Sequence, residues 1–339
     1  MVQSSCNIYQ RIEVSCFDCR LDSFHILRCA RHQPSGWMHQ TINGKKCCIS
    51  YLVFSQEKGD FHMRVILIRH AESLNNLKEG PIRRALRNGT LKPEEARQMF
   101  FQNRHSDPFL SMLGERQANL LSLFHQTKSQ GSLAGQKVRL FSSCMTRTIQ
   151  TAHPLATALG VPIEVHPSIH ETGGVFVGQT LSYAPGLSSA AMKQLSPAVC
   201  TDMVPANGPW NGRKGFETNK ESFERAMAVA EWLQSADFQE SMSYEDAAGK
   251  KRTKVCVLVS HANFLDMLLV ALLKLRPNPI TSKRRHLFFP LSNSSMTVLE
   301  VPKKAAASGR ISRSKSASLP TVLQTNVQSH LLFPHRSSL

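Results

Sequence analysis

An arginine followed directly by a histidine leaves the first apolar run of the sequence, Val65-Ile66-Leu67-Ile68-Arg69-His70-Ala71-Glu72-Ser73, with Asn76 just beyond. A second run closes at Ser142-Ser143 and continues through Cys144-Met145-Thr146 to Arg147. A third leads into His170-Glu171-Thr172-Gly173-Gly174, and a fourth ends Ser260-His261-Ala262-Asn263. Two arginines, two histidines and one acid at the ends of four such runs suit a phosphoryl group. Arginine forks match phosphate oxygens bidentately, helix N-termini add backbone N–H donors, and a neutral imidazole attacks phosphorus as a covalent nucleophile. The carboxyl group of Glu171 would protonate the leaving oxygen. Cationic side chains stabilise the charge that Mg²⁺ handles in other phosphoryl-transfer enzymes, so the constellation calls for no metal and no cofactor.

These groups need a frame that ends several strands at one rim. The short β-branched and leucine-rich runs at 65–69, 138–142, 162–165, 255–260 and 296–301 read as strands buried on both faces. Helical patterns alternate with them, near 113–127, 220–234 and 263–275. Another follows Ser142 with spacings of 4, 3 and 4 at Thr148, Ala152, Leu155 and Leu159, and Gly160 with Pro162 ends it. Strand and helix in alternation describe a mostly parallel α/β sheet, and in such sheets ligands bind outside the carboxyl ends of the strands. Residues 77–108 and 173–215 break the alternation and read as insertions at one end of the sheet.

At these motifs the sequence resembles the histidine phosphatase superfamily in its phosphoglycerate-mutase-like branch, over Arg64 to about Val301. The R-H-G motif stands here as Arg69-His70-Ala71, followed by the family asparagine as Asn76. The serine-rich turn and arginine correspond to Ser142, Ser143 and Arg147, and S-H-G to Ser260-His261-Ala262. Asp107-Pro108 through Leu113-Gly114 and Gln117 resembles the D-P-x-L-x-x-x-G-x-x-Q segment. The resemblance implies a three-layer α/β/α sandwich. It also implies phosphorylation of His70, with Arg69, Arg147 and His261 on the phosphate and Glu171 as the acid. Asn76, Ser142 and Ser143 are further candidates for phosphate contact, although these residue types also cap turns and helices. Glu72 and Glu164 are alternatives to Glu171 as the acid. Ala71 and Ala262 replace the usual glycines, which removes no chemical group. Mutases of the family carry E-R-x-Y-G near the acid, whereas Glu171-Thr172-Gly173-Gly174 stands here, which favours hydrolysis over transfer back to substrate. Cys144 opens no C-x5-R loop, since Gln150 occupies the sixth position after it.

Composition narrows the remaining classes. The chain has 339 residues, a 41% hydrophobic fraction and a formal charge of +17, enough for a sizeable core. Residues 301–339 carry 6 basic and no acidic side chains, so a third of the excess charge lies in a Ser-, Ala- and Lys-rich tail expected to be disordered from 303 to 339. No interleaved aromatic pattern supports nucleic-acid binding through it. The expected partner is a phosphorylated small molecule or phosphoprotein as substrate. The longest apolar stretch, Met267 to Leu273, is far short of the ~20 residues of a membrane helix. Nine cysteines, an odd number without a signal peptide, point to reduced thiols and a cytoplasmic setting, with Ser337-Ser338-Leu339 approaching a peroxisomal address. Residues 1–62 hold six of these cysteines and read as an irregular leader, in which Cys16, Cys19, Cys29 and His32 make a weak zinc-like pattern. Met63 stands directly before the first strand as a candidate native start. The catalytic domain is expected over 63–302.

Overall fold

The computed structural model describes residues 37–42, 45–50, 62–102, 104–126, 133–178, 181–211, 215–275, 289, 291–302 and 320–328. The chain divides into two compact units, Met1–Gly59 and Asp60–Leu339. In the first, β1 (Trp37–Ile42) and β2 (Lys45–Ser50) pair as an antiparallel hairpin, a regular element in a region expected to be irregular. The Cys16, Cys19, Cys29 and His32 pattern lies outside the described residues.

The second unit runs β3 (His62–Arg69), α1 (Leu74–Arg87), α2 (Pro93–Gln102), α3 (Met112–Gln126), β4 (Val138–Ser142), α4 (Thr146–Leu159) and β5 (Ile163–Val165). The hairpin β6 (Phe176–Val177) and β7 (Ser182–Tyr183) follows, then α5 (Ser189–Leu195), β8 (Val199–Cys200), α6 (Asn219–Gln234) and α7 (Ala236–Ser241). A second hairpin, β9 (Ser243–Glu245) and β10 (Lys251–Thr253), leads to β11 (Val255–Ser260), α8 (Ala262–Leu272), β12 (Ser295–Pro302) and β13 (Thr321–Gln328). The central sheet has the order β13-β12-β3-β11-β4-β5-β8. Strands β3, β11, β4, β5 and β8 are parallel, and β12 runs antiparallel to both β3 and β13.

Two of these strands depart from the sequence reading. β8 draws the end of the 173–215 insertion into the sheet, and β13 places part of the tail on its edge.

Both faces of the sheet are covered, as the unbroken apolar runs require. Ile66, Ile68, Leu140, Val257 and Val259 share one core with Leu121 of α3 and Ile149, Ala152 and Leu155 of α4. Alternate residues face the other way: Phe141 meets Trp232 of α6 edge to face and Phe238 of α7 at a tilt. Helix α4 stops where Gly160 takes a left-handed φ of 63°, a conformation that costs glycine little. No helix among the described residues is long and apolar enough to cross a membrane.

Among the described residues, several buried polar atoms find no hydrogen-bond partner, and at one core position both nitrogens of a ring are in that state. His125 is fully buried and neither ring nitrogen has a hydrogen bond; burial lowers its pKa to about 4. The folded protein holds it neutral, while an unfolded chain protonates it near 6.5, so its contribution to stability is constant above that value. That contribution is lost as the pH falls from 6.5 towards 4. Leucine at this position is expected to stabilise the fold by about 1 kcal/mol at pH 7, because a buried unpaired polar group costs ~1–3 kcal/mol. It should also flatten the decline between pH 6.5 and 4 in urea titrations. A less stable His125→Leu protein with the same pH slope would contradict this account.

Candidate active site

The sheet register brings the chemistry-bearing residues to one rim. Ser260 lies opposite Arg69, Val259 opposite Ser142, and Ser142 opposite Val165, so β3, β11, β4 and β5 finish nearly level. The ladder continues past the strands: His70 N–H donates to Ser260 O at 2.9 Å, and Ser143 N–H to Val259 O at 3.1 Å. His70 and His261 therefore leave adjacent strands, with their ring centroids 5.2 Å apart.

The environment of His70 sets its tautomer. Its Nδ1 lies 2.7 Å from Ala71 O, an acceptor that requires the proton on Nδ1. The Nε2 lone pair then faces Arg147, whose Nε–H donates to it at 3.2 Å. Burial, and after it the charges of Arg147 and Arg69, hold the imidazole well below its ordinary pKa, so it is neutral at neutral pH. His261 is fully enclosed; its Nε2 meets Ser143 Oγ at 2.8 Å and its Nδ1 has no partner among the described residues. Burial, followed by Arg147 and His70, keeps it neutral too.

A backbone carbonyl holds Arg69 and a carboxylate stands beside Arg147. Arg69 donates from Nη1 to Leu291 O at 2.6 Å, while its Nε is buried without a partner among the described residues; desolvation brings its pKa to about 10. Ser294 N–H and the Asn293 amide clamp the carbonyls of Arg69 and His70 from the segment before β12. Asp107 accepts from Thr146 N–H and Oγ1 at the start of α4 and stands 3.5 Å from Arg147 Nη1. Burial raises this acid's pKa, against the pull of Arg147. Glu171 Oε1 accepts from Thr172 N–H at 2.9 Å and from Phe264 N–H, on the first turn of α8, at 3.2 Å. Its charge acts on Arg69 and Arg147. The two alternative acids are engaged elsewhere: Glu164 pairs with Arg139, and Glu72 accepts from Ser111 Oγ at 2.7 Å.

The D-P-x-L-x-x-x-G-x-x-Q segment shapes the turn after His70. Gln117 Oε1 accepts from Glu72 N–H. A Cβ on Gly114 would stand 2.0 Å from Glu72 O, so only glycine lets α3 approach that backbone. Ala71 fits where glycine is usual: it is buried beside Leu110 and Ala118 and donates to Thr151 Oγ1 at 3.0 Å.

Arg69, His70, Arg147, Glu171 and His261 thus converge. Asn76 lies beside them as the third residue of α1, and its Oδ1 is occupied by Ser73 N–H and Asn293. Ser142 does not join the group, since its buried hydroxyl donates to Ser143 O. The hydroxyl that meets His261 belongs to Ser143, one residue on. Trp210 is buried against His170 and Gly186. Sequence reasoning passed over Asn293 and saw in Asp107 only part of a motif.

The chain matches the model of the histidine phosphatase superfamily (branch 1) over residues 65–311. Among curated proteins none matches the sequence. Among solved structures it is similar to one titled "Mycobacterial hydrolase 1", with 20% identity, a TM-score of 0.44 and coverage of 78% of this chain and 99% of that one. It is similar to a mycobacterial glucosyl-3-phosphoglycerate phosphatase, with 19% identity, a TM-score of 0.40 and coverage of 71% and 91%. An ecdysone phosphate phosphatase from Bombix mori gives 17% identity, a TM-score of 0.42 and coverage of 74% and 97%. With a match spanning nearly all of the sheet and every strand end that carries a histidine or arginine of the site, the chain belongs to the histidine phosphatase superfamily.

Proposed function

We propose that this protein is a metal-independent phosphomonoester hydrolase that works through a phosphohistidine at His70. One observation carries the reading: the Nδ1 proton is committed to Ala71 O, which leaves the Nε2 lone pair directed at Arg147. A phosphate entering beside Arg147 would take over that N–H donor and free the lone pair for in-line attack. Nε2 then bonds to phosphorus as the ester P–O bond breaks, and protonated Glu171 delivers its proton to the departing oxygen. In the second half, Glu171 removes a proton from water, which attacks the phosphohistidine, releases inorganic phosphate and restores Nε2. Arg69, Arg147 and His261 surround the transferring group, with Asn76 at its margin. Their fixed positions supply charge stabilisation without reorganisation. The low pKa of His70 keeps the nucleophile available in mildly acidic solution as well as at neutral pH.

The distinguishing experiment supplies labelled phosphomonoesters to the full chain in the presence of a chelator. Release of labelled inorganic phosphate at a rate unaffected by chelation is the expected outcome. Isomerised phosphoester without free phosphate would assign a mutase instead, and dependence on added metal would defeat the mechanism.

A further inference from the structure

We propose that Glu217 and Arg225 are positioning residues for the proton donor: as a buried ion pair they hold the loop that carries Glu171 from both sides. The inference rests on the phosphatase reading for what Glu171 does, and it adds the groups that keep Glu171 in place.

Glu217 stands just before α6 and Arg225 lies on it. Glu217 Oε1 accepts from Arg225 Nε–H at 2.8 Å and Oε2 from Nη2 at 2.6 Å, a bidentate pair whose side chains are 2% and 13% exposed. Ser222 Oγ donates to the same Oε2 at 2.7 Å. The other arm of the guanidinium, Nη1, donates to Ser168 O at 2.8 Å and to His170 O at 3.0 Å. Between these two carbonyls, Ile169 O accepts from Ser260 Oγ at 2.6 Å. The backbone leading to Glu171 is thus held carbonyl by carbonyl, chiefly by one arginine.

The pair also reaches the far side of the acid. Glu217 N–H donates to Gly173 O at 3.4 Å, and a Cβ on Gly173 would come within 2.5 Å of the Phe216 ring. The Arg225 guanidinium carbon lies 4.6 Å from the ring centroid of Phe264, whose N–H is a donor to Glu171 Oε1. Arg225 therefore touches both the backbone before Glu171 and the residue that fixes its carboxyl group.

A buried ion pair is a poor source of stability, since desolvation of both charges offsets their attraction. It is a good source of direction, because a planar fork satisfied on both edges admits one arrangement. Apart from a single 3-10 turn at Pro167–Ile169, residues 166–175 belong to no helix or strand. Side chains from α6 and β11, rather than a backbone ladder, decide where Glu171 stands.

The test uses the full chain and two variants. Arg225→Lys leaves Glu217 a charged partner but a compact charge in place of the fork, and Arg225→Met combined with Glu217→Gln strands no charge. Thermal unfolding shows whether each is folded. Misplacing a catalytic group by about 1 Å costs ~10²-fold, so kcat for glycerol 3-phosphate should fall ~10–100-fold while p-nitrophenyl phosphate stays within about threefold of wild type. Added to Glu171→Gln, Arg225→Lys should slow glycerol 3-phosphate little further, because a support has nothing to act on once the donated proton is gone. Equal losses on both esters in folded protein, or additive losses in that double variant, would show a merely structural role and overturn the proposal. Hydrogen exchange over residues 166–175 separates the two readings. Faster exchange in Arg225→Lys, with neither ester hydrolysed by the wild type, would sink the phosphatase reading and keep the clamp. Unchanged exchange with unchanged discrimination between the esters would sink the clamp and keep the phosphatase reading.

Discussion

Asparagine or alanine in place of His70 is expected to lower kcat by on the order of 10⁴–10⁶-fold, the scale on which loss of a covalent nucleophile is felt. The expectation follows from the lack of a substitute. His261, the other imidazole at the rim, has its Nε2 against Ser143 Oγ, and Ser143 itself is buried and bonded to Thr148. Asn76 and the arginines are not nucleophiles at neutral pH. Rapid quenching of the wild type with labelled substrate should trap a phosphoenzyme that is labile in acid and stable in base, as a phosphoramidate is, and the label should vanish in both variants. His70→Asn retains an amide that can donate to Ala71 O, so a folded but inactive His70→Asn protein isolates chemistry from folding. An acid-stable phosphoenzyme, or a His70→Asn variant within tenfold of wild type, would remove His70 from the mechanism.

Glu171→Gln is expected to discriminate between leaving groups. An alkoxide departing from a sugar or glycerol phosphate needs a proton in the transition state, whereas p-nitrophenolate scarcely does. General acid catalysis contributes ~10²–10⁴-fold, so alkyl phosphates should slow by that order and p-nitrophenyl phosphate much less. Glutamine can keep the contact with Phe264 N–H through its carbonyl oxygen, which limits the change to the proton. Equal slowing of alkyl and aryl substrates would show that Glu171 acts only through its charge.

Much of this site is visible in the chain because each reactive residue is tied to the end of an apolar run. The strand bearing Val65, Ile66, Leu67 and Ile68 cannot be placed except between two helix layers, and that placement sends Arg69 and His70 to the rim. Elements without such a signal stay hidden. β8 is two residues long, and β13 lies in a polar stretch whose pairing is decided by β12 rather than by its own pattern. The choice between Ser142 and Ser143 turns on a single residue, and in a strand with period 2 that is the difference between opposite faces. Ser142 still belongs to β4 and Ser143 is the first residue beyond it. Arg104 is illegible for another reason. Its guanidinium lies against Phe100 and Phe176, which the fold brings together from two separate insertions, and no spacing in the sequence relates them.

The antiparallel strand beside β3 has one more role in the life of the molecule. β12 is buried along most of its length, and its outer row of backbone donors and acceptors is occupied by β13. A chain ending at Pro302, where the sequence alone would draw the domain boundary, would leave that row open along an apolar strand. Such an edge invites the same strand of another molecule to add itself. The Thr321–Gln328 segment therefore closes the edge that β12 would otherwise present beside the strand that carries His70, and the register shifts between Met296 and Leu299 mark where the two strands adjust to one another.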